Sequence, residues 1–220
     1  MNKLIIFDLD GVLIESRELH YEALNAALSN VDPLFVITKE EHLSTYDGLN
    51  TTRKLELLSE RKGLDRKFFD QIWADKQTET FKLIKKFPQS PYLVNMFVNI
   101  KEQGIKIAVA SNSIRETVKL ALLKVGILEY VDYYVSNEDV SKAKPYPEMY
   151  WSCMTALNAL PRSTVIFEDS HIGRQGAIDS GAHLVPVKNS HDLTQEKIQE
   201  ALDILNGIKH RKICLLYTSP

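Results

Sequence analysis

The sequence predicts an α/β fold: a doubly wound, mainly parallel Rossmann-like core with an α-helical cap inserted after its first strand. Three observations carry this. Short apolar runs without polar alternation recur along the chain, as expected of strands covered on both faces. Helical patterns lie between them, and Gly104, Gly126 and Gly181 each fall just past one, where a left-handed residue ends a helix. After the first apolar run, about seventy residues show helical periodicity and no convincing strand.

In chain order, Leu4 to Phe7 reads as the first strand. Helical periodicity then runs through 16–29, 38–45, 51–62 and 66–86, with Pro88 and Pro91 marking the return to the core. Ile105 to Ala110, Tyr130 to Val135, Val165 to Phe167 and His183 to Val187 read as the remaining strands. Helices are expected near 91–103, 114–125, 147–158, 171–180 and 194–206. Such alternation argues for a doubly wound sheet. The division that follows is a core of 1–15 and 87–210 with a cap of 16–86.

Composition narrows the function. The 220 residues hold 27 Lys plus Arg against 29 Asp plus Glu, a formal net charge of −2. That balance gives no general field for nucleic acid or an anionic membrane. Two cysteines, Cys153 and Cys214, cannot make a disulfide scaffold. The run Leu4 to Phe7 is broken by Asp8 and is too short for a signal-peptide core. No stretch approaches the ~20 apolar residues of a membrane helix. The expectation is a cytoplasmic protein, a monomer or weak homodimer, with neither nucleic acid nor membrane as partner.

The chemistry sits at predicted strand ends, where open α/β sheets bind ligands. The first strand runs into Asp8-Leu9-Asp10-Gly11, with two carboxylates at i and i+2 pointing the same way from an extended backbone. Like charges so close call for a cation or a shared proton, although Asp-Gly is also ordinary turn chemistry. A second acidic pair, Glu168-Asp169, ends a later strand, with Gly173 and Gly176 allowing the next helix to lie close to the sheet. Two acidic ends on one edge make an all-oxygen site suited to Mg²⁺. Asp169 or Ser170 would equally serve as an N-cap. Another strand ends in Ser111-Asn112-Ser113, small groups that would cradle a phosphate or cap a helix. Finally, Lys144 precedes Pro145 and Pro147, which stiffen its loop and remove donors. A lysine held this way is a point charge for a phosphoryl group, while an unheld one is usually solvated.

In this order the four pieces resemble the motifs of the haloacid dehalogenase superfamily, in its branch with an α-helical cap after the first strand. The resemblance covers about residues 1–190, with Asp8-Leu9-Asp10-Gly11, Ser111, Lys144 and Glu168-Asp169 matching the four motifs in turn. Within the superfamily the chain is similar to sugar-phosphate and phosphoglycolate phosphatases and to β-phosphoglucomutase. The resemblance implies a Mg²⁺-dependent phosphatase of a small phosphorylated metabolite. Asp8 would be the nucleophile, forming an aspartyl-phosphate, and Asp10 the general acid and then base. Ser111, Asn112 and Lys144 would hold the phosphoryl oxygens. Asp8, Asp10 (through its carbonyl), Glu168 and Asp169 would hold the metal. A dehalogenase or phosphonatase is not expected, because both lack a carboxylate where Asp10 stands.

A β-phosphoglucomutase-like mutase is the alternative, and a non-catalytic phosphate-binding protein of this fold a more distant one. His20 and Lys76 suit a mutase. The mutase pattern Gly-x-x-Arg is broken here, with Gly48 followed by Thr51 in place of arginine, and with Arg53 about 200° round the helix from it. Among Asp75, Gln77 and Glu79, Lys76 otherwise reads as part of a solvated helix face. Gly48 and Thr51, in a glycine-marked turn of the insert, are expected with His20 to select substrate, and Tyr46, Arg53 and Trp73 to shape the pocket. No Gly-x-Gly-x-x-Gly follows the first strand, which removes a nucleotide-dependent oxidoreductase. Residues 213–220, Ile-Cys-Leu-Leu-Tyr-Thr-Ser-Pro, read as a non-native tail.

Overall fold

The computed structural model describes residues 1–208, so Cys214 and the segment 213–220 lie outside the described residues. Strand β1 (Asn2–Phe7) is followed by helices α1 (Arg17–Ser29), α2 (Lys39–Glu41), α3 (Thr51–Lys62) and α4 (Phe69–Ile84). Then come α5 (Pro91–Glu102), β2 (Lys106–Ala110), α6 (Arg115–Val125), β3 (Tyr133–Val135), α7 (Glu148–Ala156), β4 (Ala159–Glu168), α8 (His171–Asp179), β5 (His183–Pro186) and α9 (Gln195–Leu205). The strands form one sheet in the order β3-β2-β1-β4-β5, and every pairing is parallel.

Alternate residues of β1 face opposite layers, as strand geometry requires. Ile5 and Phe7 pack with Val109, Phe167 and helices α5, α6 and α9, whereas Leu4 and Ile6 pack with Ala108, Ile166 and helices α7 and α8. Both faces are thus covered, which is why the strands read as continuous apolar runs. Helices α1, α3 and α4 share a separate core containing Leu24, Leu28, Tyr46, Leu55, Leu58 and Ile72. Among the described residues, no helix is long and apolar enough to cross a membrane.

Two elements differ from the sequence reading by more than three residues. β4 starts at Ala159, six residues before Val165, because Asn2 pairs with Ala159 across an irregularity in the ladder. Pro161 and Arg162 interrupt the apolar run and hide this extension. The helix expected over 38–45 is a single turn, Lys39–Glu41, continued by a π-type turn over His42–Tyr46. Gly104, Gly126 and Gly181 do take positive φ, at 71°, 85° and 79°.

The register places the chemistry. Phe7 stands opposite Val109 on one side and Phe167 on the other. The next residues, Asp8, Ala110 and Glu168, therefore reach one carboxyl edge together. Phe7 stacks on Phe97 and on Phe167 with ring centroids 5.1 Å apart in each case, which stiffens the strand end beneath Asp8.

Candidate active site

Asp8, Glu168 and Asp169 are buried and each offers one oxygen, all within 4.8 Å of one another. Lys144 binds two of them: its Nζ donates to Asp8 Oδ1 at 2.6 Å and to Glu168 Oε1 at 2.5 Å, and also to the Ala110 carbonyl at 2.7 Å. The Tyr150 hydroxyl adds a bond to Glu168 Oε1 at 2.6 Å. One ammonium thus serves two buried carboxylates. Burial, and next the charge of Glu168, push the Asp8 carboxyl well above the usual range against the pull of Lys144. Burial and Glu168 likewise raise Asp169 to about 6, although Arg17 Nη2 donates to its Oδ2 at 2.5 Å. The cluster is short of positive charge. Asp169 Oδ1 is buried with no hydrogen-bond partner among the described residues. An oxygen-only donor set with excess negative charge and an orphaned oxygen fits a hard divalent cation.

Glycines make this packing possible. A Cβ on Gly173 would overlap the Glu168 carboxylate, and one on Gly11 would overlap the Asp169 carboxylate. The helix-capping reading belongs to Ser170, whose hydroxyl accepts from the Gly173 amide at 3.1 Å, and so leaves Asp169 to the cluster. The Lys144–Pro145 bond is cis.

Asp10 turns its carboxylate to a different set of partners. Ser16, Ser111 and Ser113 donate to it at 2.5, 3.2 and 2.9 Å, and His20 Nε2 lies 2.9 Å away. Burial would raise this carboxyl, but His20 and the hydroxyls outweigh it and hold Asp10 below the usual carboxylate range. Burial, assisted by Lys76, lowers His20 in turn against the opposing pull of Asp10. Ser111 spends its hydroxyl on Asp10 and also accepts from the Ser113 amide. Asn112 ties the site together: its side chain accepts from the Lys144 amide at 3.1 Å and donates to the Gly48 carbonyl at 3.1 Å.

A narrow cleft lies over these groups, with about 60 Å³ open to water-sized molecules. His20, Gly48, Thr51 and Asn112 line it, as the sequence suggests, and so does Asp47, which lies 3.4 Å from Arg17. The expectations for four other residues of the insert fail. Lys76 is not solvated: it is 6% exposed and lines the cleft, because α4 turns its 72–76–80–84 stripe inward. Tyr46 is buried in the core of the insert, Arg53 points outward to Glu56, and Trp73 is exposed; none of the three lines the cleft. Arg17, Lys54, Gln77 and Tyr150 are site residues that motif reading misses. For Lys54 a signal existed. It belongs to the buried stripe Thr51, Lys54, Leu55, Leu58, at the spacing of one helix face.

Residues 5–187 match the family model described as haloacid dehalogenase-like hydrolase. A phosphorylated carbohydrates phosphatase of Thermotoga maritima is 27% identical over 180 residues, covering 80% of this chain and 81% of that protein. A pyrophosphatase of Bacillus mycoides is 25% identical over 223 residues, covering 93% and 97%. Among solved structures, a β-phosphoglucomutase of Clostridium difficile superposes with a TM-score of 0.80 at 21% identity, covering 94% of this chain and 99% of that one. The chain belongs to the haloacid dehalogenase-like hydrolase family and is an enzyme of its phosphatase kind.

Proposed function

We propose that the chain is a Mg²⁺-dependent phosphatase that hydrolyses a small phosphate monoester, such as a sugar phosphate or a phosphoglycolate-like acid, through an aspartyl-phosphate on Asp8. The observation that carries this reading is the position of Asp8, at the floor of the cleft between Lys144 and the Glu168–Asp169 pair. A carboxylate and a phosphate monoester repel each other, so the reaction needs charge neutralisation and in-line placement. Mg²⁺, held by Asp8, Asp169, the Asp10 carbonyl and, directly or through water, Glu168, would supply neutralisation when bound. When substrate binds, Lys144 and Ser111 would turn a donor from their present partners, Asp8 and Asp10, to the transferring phosphoryl oxygens. An Asp8 oxygen forms a bond to phosphorus as the ester P–O bond breaks, and Asp10, which takes up a proton from solvent as the substrate's negative charge enters the cleft beside it, passes that proton to the leaving oxygen. Asp10 then takes a proton from the water that attacks phosphorus and releases phosphate. Its four donors fix the side chain in place, and one of them turns away from the oxygen that carries the proton.

In this reading residues 1–15 and 87–210 are the catalytic core and 16–86 the cap that closes over it, with His20, Gly48, Thr51 and Asn112 contacting substrate. The mutase alternative gains from Lys76 and His20 in the cleft and loses from Thr51 standing in place of arginine. The deciding experiment is a hydrolysis screen over phosphoglycolate, sugar phosphates and nucleotides with and without Mg²⁺. It is run beside isomerisation of β-glucose 1-phosphate with a bisphosphate primer. Metal-dependent phosphate release with no isomerisation supports the phosphatase; isomerisation that outpaces release supports the mutase; neither activity overturns both.

A further inference from the structure

We propose that Lys54 and Lys76 form a subsite for a second anionic group on the substrate, so that the preferred substrates are phosphate monoesters also bearing a carboxylate or a second phosphate. This rests on the phosphoryl-transfer reading above and narrows its substrate class.

The two lysines come from different helices, α3 and α4, yet both line the cleft over Asp8 at only 5% and 6% exposure. The other cations of the cleft have carboxylate partners. Lys144 serves Asp8 and Glu168, Arg17 serves Asp169 and Asp47, and Asp10 takes its four donors. Lys54 and Lys76 have neither a hydrogen bond nor an ion pair among the described residues. Two buried ammoniums near each other are costly without a counter-charge. Burial lowers Lys76 to about 7, with Lys54 contributing, and burial lowers Lys54 to about 8 despite Asp47 and Asp10. An apolar side chain of equal length would fill either place without desolvating a charge.

Neighbouring groups point to the same ligand chemistry. Gln77 Nε2 is buried in the cleft lining with no acceptor among the described residues. Lys54 lies one turn along α3 from Thr51, on the same buried stripe and just inside the positive end of the helix dipole. The small open volume favours a second anion only a few bonds from the transferring phosphoryl group.

The test is calorimetric binding to the full chain carrying Asp8→Asn, with Mg²⁺ present, using two matched pairs. In 3-phosphoglycerate and glycerol 3-phosphate, a carboxylate replaces a hydroxymethyl group. Glucose 1,6-bisphosphate and glucose 6-phosphate differ by one phosphate. The anionic member of at least one pair should bind about 10-fold or more tightly, and the pair that shows it identifies the anion. Lys54→Met and Lys76→Met should each erase most of that preference and raise the melting temperature, whereas a merely structural lysine would lower it. Equal affinities within both pairs, or a preference that survives both substitutions, overturns the proposal. Binding is read without turnover, so an intact preference beside absent hydrolysis counts against the phosphatase reading and not against this subsite.

Discussion

Lys144 Nζ sits 2.6 Å from Asp8 Oδ1, joining residues 136 positions apart in the chain into a buried ion pair. The same nitrogen reaches Glu168 at 2.5 Å, so removing it leaves two buried carboxylates facing each other. Lys144→Met should cost about 3–5 kcal/mol of stability, as for breaking a buried pair, and should reduce turnover at least 100-fold. Lys144→Arg should not restore activity, because a planar guanidinium cannot point at Asp8, Glu168 and the Ala110 carbonyl as an ammonium does. Denaturant unfolding and initial rates check both.

Gly173 holds the Glu168 carboxylate in place by having no Cβ. Gly173→Ala should force Glu168 away from Lys144 and Tyr150, with about 1–3 kcal/mol lost to overpacking and a fall in kcat larger than any change in KM. Tyr150→Phe removes one donor of two on Glu168 Oε1 and should cost about 1 kcal/mol, with most activity kept.

Stability should depend on pH through the two cleft lysines. Their folded-state pKa values, about 7 for Lys76 and about 8 for Lys54, lie below the ordinary 10.5. Between those limits the unfolded chain binds more protons, so stability rises with pH. The gain is complete above about 10.5 and gone below about 7. Asp10, Asp47, His20 and His42 face these lysines and shape the curve at its acid end. Urea unfolding at pH 7, 8 and 9 of the chain without ligand should show the rise, and Lys54→Met/Lys76→Met should flatten it.

Asp47 faces the cleft from the insert and meets Arg17. Asp47→Asn or Thr51→Ser should reorder kcat/KM values across a sugar-phosphate panel while the melting temperature moves by less than about 2 °C. An unchanged ranking would remove these residues from substrate selection.

The sheet and its acidic edge were legible because a strand buried on both faces leaves an unbroken apolar run, and a carboxylate at the end of such a run stands out. Asp8, Glu168 and Asp169 were found this way. Lys76 was not, because its sequence neighbours Asp75, Gln77 and Glu79 are polar, and only the i, i+4 stripe through Ile72, Thr80 and Ile84 reveals that it faces inward. Arg17 and Tyr150 were hidden for another reason. Each meets its partner across the fold, Arg17 at Asp169 and Tyr150 at Glu168, and no local pattern records such a contact. Tyr46 misled in the opposite sense: an aromatic beside a glycine turn reads as pocket lining, yet its ring fills the core of the insert.

The role of Asp8 as nucleophile is tested most directly by the steady-state rate of Mg²⁺-dependent phosphate release from Asp8→Asn, which keeps the shape of the side chain and removes its charge. A fall of about 10⁴-fold or more, with the protein still folded, is the result expected when a covalent nucleophile is lost. Full metal-dependent activity in that variant would contradict the account.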